Sequence, residues 1–592
     1  MSKTSERGET NGTRETNDGT ESLLGRMDRR TVMKGIGAAG LVGVGASSAS
    51  ASTSDEGFDP VEATVADVRD AIESGEATAR DIVEDYLERI EVYDGAINSI
   101  ISVNEHAVER AAELDEQYAA SGPVGPLHGV PLILKDNNDT ADMPTTNGSL
   151  SMEHSRPEDD AFIVQQLREA GCVVVAKANL DEFARGITAD SSLGGQTRNP
   201  YALGRNPSGS SSGTGAAIAA NLAVLGTGTD TCGSVRNPTA FGSLAGLRPT
   251  MGLISRDGIV PLSLERDTAG PMARTVADMA AMLDAMVGYD PADPLTSRGA
   301  NEIPANADRI AGDSYTDYLD EDALDGLCVG VLRDFFGPDI DEEDAEEEQD
   351  CSCSDGDPVA RAEAEAEQVT SLVESALDEM ERQGAEIVEI EEIPDYDDLL
   401  EAANEPSVFK EDLDAYLEGV DNEYETLAEI VESDLYSCAK ADSLRTSDEE
   451  DDPNARETDE YTLSVAGKVE LRDAVEGLML ERGVDVLVYP TLSHPPAEIG
   501  ESQPGSNCSL SAYSQLPAIV VPAGYTEDEQ LPVGVEMLGF EFDEPTLIGA
   551  AYAYEQAADP RETPDGFGPL PAEAPEVPNP DYEVGIAAED DC

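Results

Sequence analysis

Three short stretches of this sequence combine residue types and spacings that can do chemistry. The first ends at Lys135, which closes the apolar run Gly129-Val130-Pro131-Leu132-Ile133-Leu134 in a chain with seven lysines among 592 residues. Burial disfavours the ammonium form, and a lysine left neutral at working pH is a general base. A strand-end lysine can also reach out to water, and Asp136 beside it offers an ion-pair partner. The second stretch is Ser208-Gly209-Ser210-Ser211-Ser212-Gly213, ahead of an Ala-rich segment. It reads as a flexible turn or helix cap, and also formally as a G-x-S-x-G elbow with Ser211 as nucleophile. That elbow needs a strand just before it, but 200–207 is bounded by two prolines and holds no apolar run. It also needs a downstream histidine, and only His494 qualifies. The third stretch is Gly226-Thr227-Gly228-Thr229-Asp230-Thr231-Cys232-Gly233-Ser234-Val235-Arg236. Small residues before Ser234 let backbone N–H groups crowd one point, as an oxyanion hole requires; one lost donor costs about 2.7–4 kcal/mol of barrier.

Residues this far apart need elements to hold them together. The pattern from Pro60 to about Ala120 is helical, with Ile82, Val83, Tyr86, Leu87 and Ile90 on one face. Gly129 to Leu134 reads as a buried strand ending at Lys135, Asp160 to Ala170 as a helix, and Gly171 to Ala176 as a second buried strand. A long acidic helix is predicted over Arg361 to Gln383 and a strand over Ala385 to Ile393. Late buried strands are predicted at Asp485 to Pro490 and Pro517 to Pro522. Helices alternating with short apolar runs predict an α/β fold. No internal repeat and no clean central linker interrupts it, so one large domain over 52–559 is expected. Acidic inserts are expected at about 337–358 and 442–458, the second as a solvated excursion, and the Pro-rich acidic tail 560–592 as a mobile arm.

Composition narrows the classes. Acids outnumber bases 124 to 36, for a formal charge of −88, and arginine outnumbers lysine 29 to 7. The 40% hydrophobic content still supports a large core, which excludes global disorder. Nucleic acid and anionic membranes would be repelled, and no basic patch offsets that. Acid excess spread along the whole chain fits a high-salt medium, where the Debye length shrinks to ~3 Å at 1 M. Eight cysteines are too sparse for a disulfide scaffold. Cys351 and Cys353 lack a second pair or a nearby His, so a plain loop is expected there rather than a metal site.

The first 26 residues are polar and read as a disordered leader. Over 27–51, Arg29-Arg30 precedes a short, Gly-rich, mildly apolar run and then Ala49-Ser50-Ala51. That run is too short to span a membrane and looks like a twin-arginine export signal with a cleavage site. No cysteine stands at the cleavage site to carry a lipid. Met27 is an alternative start. The expected location is extracellular or at the cell surface, without stable membrane insertion.

Together the three chemical stretches resemble the amidase signature family, which uses a Ser–cis-Ser–Lys triad. The segment around Ser234 is similar to the family's Gly-Thr-Asp-Thr-Gly-Gly-Ser-Ile-Arg, and Gly246-Leu247-Arg248-Pro249-Thr250 follows at the expected place. Asp267 to Thr275, Pro144-Thr145-Thr146, Asn179 to Ala184, Leu516-Pro517-Ala518 and Leu531 to Val535 extend the resemblance over roughly Val61 to Ala557. It implies a single large α/β domain with a central mixed β-sheet covered by helices. It also implies Ser234 as nucleophile, Ser210 as bridging serine, Lys135 as base and a cis Gly209–Ser210 peptide. The N–H groups of Thr231, Cys232, Gly233 and Ser234 would form the oxyanion hole, with Asp230 and Arg236 holding the loop. The implied reaction is hydrolysis of a small carboxamide through an acyl-enzyme, with no cofactor and no metal. A homodimer is compatible with this reading.

Three departures stand out. Ser208 and Ser212 replace glycines common in the family, Cys232 replaces the first glycine of the Gly-Gly-Ser pair, and the Cys351 insert has no counterpart. Were φ positive at Cys232, the side chain would be strained there. Two alternatives follow: a glutaminase subunit of a tRNA-dependent amidotransferase, and a degenerate surface-binding protein whose one support is Cys232.

Overall fold

The computed structural model describes residues 57–302, 314–338, 358–571, 573–578, 582 and 584–587. The expected leader, export signal and Cys351/Cys353 insert lie outside the described residues.

Apolar strand runs build one sheet. Its first six strands are β1 (Ile100–Val103), β2 (Pro131–Lys135), β3 (Val173–Ala178), β4 (Leu225–Asp230), β5 (Ala245–Arg248) and β6 (Thr268–Ala273). The other five are β7 (Cys328–Leu332), β8 (Glu386–Ile390), β9 (Val486–Pro490), β10 (Ala518–Tyr525) and β11 (Pro532–Leu538). They form an 11-stranded sheet in the order β1-β3-β2-β4-β6-β5-β10-β11-β9-β7-β8. The sheet is mixed. β3, β2 and β4 run parallel, as do β9, β7 and β8, while the neighbours around β6, β5, β10 and β11 are antiparallel. Every residue of β2, β3 and β4 is buried, as expected of strands covered by helices on both faces. One hydrophobic cluster runs from Val65 to Phe567, with smaller clusters under the β7–β9 end and under helix Phe409–Leu417.

The expected α/β class and central sheet are present, and three local expectations change. β1 interrupts the stretch read as helical, because helix Ala79–Ile97 stops at Asn98 in the left-handed region (φ 56°) and only four residues then extend. Residues 442–458 are mostly exposed, as expected, but they are folded onto the domain rather than looping away from it. Helix Cys438–Glu450 buries Lys440, Ala441, Leu444 and Ser447 on one face, and 3-10 turn Ala455–Glu457 buries Ala455. The tail is no free arm either: Arg561 pairs with Glu62 at 2.8 Å, Phe567 is buried, and Ala587 N–H donates to Tyr436 O at 2.9 Å.

Candidate active site

Because β2 lies between β3 and β4 and parallel to both, the C-terminal ends of all three strands open at one edge of the sheet. Lys135 is the last residue of β2 and is fully buried. Its N–H donates to Thr227 Oγ1 at 3.0 Å, and its Nζ donates to Ser210 Oγ and to Thr229 Oγ1, each at 2.8 Å. Burial pulls its pKa down to about 7, although the charges of Asp181, Asp230 and Asp267 oppose the shift. Asp136 turns away from Lys135. It lies 3.6 Å from Lys177 Nζ and accepts from the Thr146 hydroxyl and from Thr146 N–H at 3.1 Å. The ion-pair reading finds no support: Lys135 faces the serine loop, and among the described residues no carboxylate forms an ion pair with it.

Ser210 is delivered by a loop that tolerates no bulk. The Gly209–Ser210 peptide is cis, and a Cβ on Gly209 would collide with Asp181 Oδ2. Asp181 N–H donates to Ser210 O at 3.1 Å. Ser208 takes the left-handed conformation (φ 59°) with its N–H donating to Asn206 Oδ1 at 2.8 Å, while Ser212 simply begins helix Ser212–Ala219. Ser211 N–H donates to Ser234 O at 3.2 Å, which fixes the two serine loops side by side. The Ser211 hydroxyl is spent on the Thr229 backbone, accepting from its N–H at 3.3 Å. His494 Nδ1 lies instead 3.1 Å from Ser493 Oγ. With no strand over 200–207 either, the elbow reading of Ser211 is overturned.

Ser234 follows β4 on a loop organised by Asp230. The Asp230 carboxylate accepts from Gly233 N–H at 2.8 Å and Val235 N–H at 3.1 Å, from Arg236 Nε at 3.1 Å and from Arg248 Nη1 at 3.0 Å. Burial alone would push this carboxyl up, but the two guanidinium charges outweigh it and hold Asp230 below the usual carboxylate range. Arg236 Nη1 continues to Glu536 Oε1 at 2.6 Å and its Nη2 to Cys508 O at 3.1 Å. Asp230 and Arg236 therefore hold the loop.

Gly233 N–H is engaged by Asp230, whereas the N–H groups of Thr231, Cys232 and Ser234 donate to no acceptor among the described residues. Positive φ falls on Gly233 (+82°), where a Cβ would meet the Asn237 side chain at 2.7 Å, and not on Cys232. Cys232 is thus free of the strain that would have supported a degenerate site. It is joined in a disulfide to Cys508 across 276 residues. This pair braces the loop that carries Ser234.

Sequence reasoning missed several supports. Thr229 was visible within its stretch, one residue from the end of β4 and on the same face as Thr227, a period-2 signal for a second hydroxyl near Lys135. Asp181, Lys177 and Cys508 gave no local signal of their function. A narrow cleft lined by Asn137, Thr229, Thr231 and Asp267 borders these groups, and Leu262 is shared between it and a larger cavity of about 510 Å³.

Comparison with known proteins agrees with this geometry. The amidase family model matches residues 81–352 and 359–548. A glutamyl-tRNA(Gln) amidotransferase subunit of Halorhodospira halophila is 34% identical over 525 residues, covering 85% of this chain and 99% of that protein. Among solved structures, the peptide amidase of Stenotrophomonas maltophilia superposes with a TM-score of 0.70 at 34% identity, covering 86% of this chain and 99% of the other. An amidase family protein from Bacillus anthracis gives a TM-score of 0.68 at 30% identity, covering 86% and 93%. The chain belongs to the amidase signature family and is a hydrolase of amide C–N bonds.

Proposed function

We propose that Ser234 is the nucleophile, Ser210 the relay and Lys135 the base of this amide hydrolase. The observation that carries the reading is the fully buried Lys135, whose Nζ sits 2.8 Å from Ser210 Oγ with a pKa of about 7. Neutral Lys135 takes the Ser210 proton as Ser210 takes that of Ser234, and Ser234 Oγ attacks the amide carbon. The developing oxyanion is received by the N–H groups of Thr231, Cys232 and Ser234, already oriented and unspent. Collapse breaks the C–N bond, and the relay returns the proton to the departing nitrogen. Water, activated through the same relay, then releases the carboxylate and restores Ser234. In a fluorophosphonate reaction the adduct is expected on Ser234 and lost in Lys135→Ala; label on another serine overturns the assignment.

The acidic surface and the Arg29-Arg30 segment favour export into a salty medium. A disulfide at Cys232–Cys508 supports the same reading, because such bonds persist in oxidising compartments. A reporter fused to residues 1–51 should leave the cell only while both arginines are intact. The relatives named as amidotransferase subunits favour a second reading, in which this chain is the glutaminase of a larger assembly; stable co-purification with tRNA and a second polypeptide would select it.

A further inference from the structure

Five lysines fall among the described residues, and four of them, Lys135, Lys177, Lys440 and Lys468, are buried near the site. In a chain of charge −88 most of the described lysines are thus spent on the interior. Several cations meet at the cavity of about 510 Å³. Most of its charge is already matched. Lys440 Nζ is held by Asp181 at 3.1 Å and Asp190 at 2.8 Å, and Glu405 is shared by Arg266 at 2.6 Å and Lys468 at 2.8 Å.

Arg185 is different. Its Nη1 donates to Ser443 O at 3.3 Å, its Nη2 to Ser447 Oγ at 2.8 Å, and its guanidinium carbon lies 4.0 Å from the Phe409 ring centroid. None of these partners is an anion, and its Nε is buried with no hydrogen-bond partner. The acid that influences it, Asp451, forms no ion pair with it and accepts instead from Ser407 Oγ at 2.9 Å and Lys410 N–H at 3.2 Å. Both chain neighbours of Arg185 border the candidate site. Ala184 before it borders the cleft at Thr229 and Thr231, and the carbonyl of Gly186 after it lies 3.2 Å from where a Cβ on Gly209 would be.

We propose that Arg185 is a specificity-determining residue that receives a carboxylate at the far end of the substrate's acyl chain. This deepens the amidase reading above and rests on it. A guanidinium matches a carboxylate in a two-point, charge-assisted bond, and a largely buried cation that forms no ion pair among the described residues gains most from one. Leu262, Val408 and Phe409 give the intervening carbons an apolar wall. The substrates are then ω-amides of dicarboxylic acids or close relatives, rather than neutral aliphatic amides.

The test measures kcat/KM of the full mature chain in molar salt on succinamate, glutaramate and adipamate against butanamide, pentanamide and hexanamide. At least one carboxylate-bearing amide should exceed its neutral counterpart by about tenfold or more, the range of a hydrogen-bonded charge. Arg185→Gln should collapse that ratio, with the loss in KM of the anionic amide. Arg185→Lys should retain part of it, and Arg185→Glu should shift preference toward 6-aminohexanamide. A wild-type ratio near one overturns the proposal. So does a ratio unchanged in Arg185→Gln, which would leave Arg185 only as a brace for helix Cys438–Glu450. If no amide turns over and Ser234 takes no fluorophosphonate, the amidase reading itself falls. If neutral amides turn over without discrimination, the Arg185 assignment alone falls.

Discussion

Cys232, two residues before Ser234, is covalently joined to Cys508, the residue that immediately precedes helix Ser509–Ser514. Arg236 reaches the same place, donating to Cys508 O at 3.1 Å while its Nε holds Asp230. The oxyanion loop is thus clamped twice to one distant segment. Cys508→Ser, or reduction with dithiothreitol, is expected to lower stability by about 2–5 kcal/mol through loss of the cross-link. It should also reduce kcat about tenfold, as the N–H groups of Cys232 and Ser234 lose their fixed aim. Thermal melts and steady-state kinetics with and without reductant check both. An unchanged kcat in the reduced protein would show that the Arg236 clamp suffices.

The pH profile follows from Lys135. Its activity as a base requires the neutral amine, so kcat/KM should fall as pH drops through about 7 and level off above it. Stability changes in the same direction, over a wider range. The folded pKa of about 7 lies below the ordinary 10.5, so the unfolded chain binds one more proton between those values. The penalty is full below pH 7 and fades as pH rises to 10.5, and Lys135→Met should remove that slope while abolishing turnover. Thr229→Val provides the control: it deletes an acceptor that favours the ammonium, so the acid limb should move to lower pH while kcat falls. A limb that stays in place in Thr229→Val would assign the titration to another group.

Asp230 is the loop's electrostatic keystone. Asp230→Asn leaves Arg236 and Arg248 buried together with only Glu536 opposing them. Breaking such a buried cluster costs about 3–5 kcal/mol. A clear drop in melting temperature is expected, together with loss of fluorophosphonate labelling at Ser234. A variant that melts like the wild type would show that the backbone bonds of the loop hold without the charge.

The sequence alone brought out the candidate set, through its resemblance to the amidase signature family. Lys135, Ser210 and Ser234 each lie in a short stretch whose apolar run or small residues act within a few positions of the chain. A strand such as β2 needs only its own residues to be recognised. It also determined the α/β class, through helices alternating with buried apolar runs.

Only the tertiary structure decided which polar groups are inside and with whom. Asp136 and Lys135 are neighbours in sequence, yet successive side chains of an extended chain point to opposite faces, so Asp136 meets Lys177 and Lys135 meets Ser210. Lys440 lies on the buried face of helix Cys438–Glu450, and a lysine belongs inside only once Asp181 and Asp190 surround it. The tail looked free because Arg561 has no partner until the fold brings Glu62, 499 residues away, against it. The same holds for Cys232 and Cys508. Pairings over hundreds of residues leave no local pattern, because the free energy that selects them exists only when the chain has closed around them.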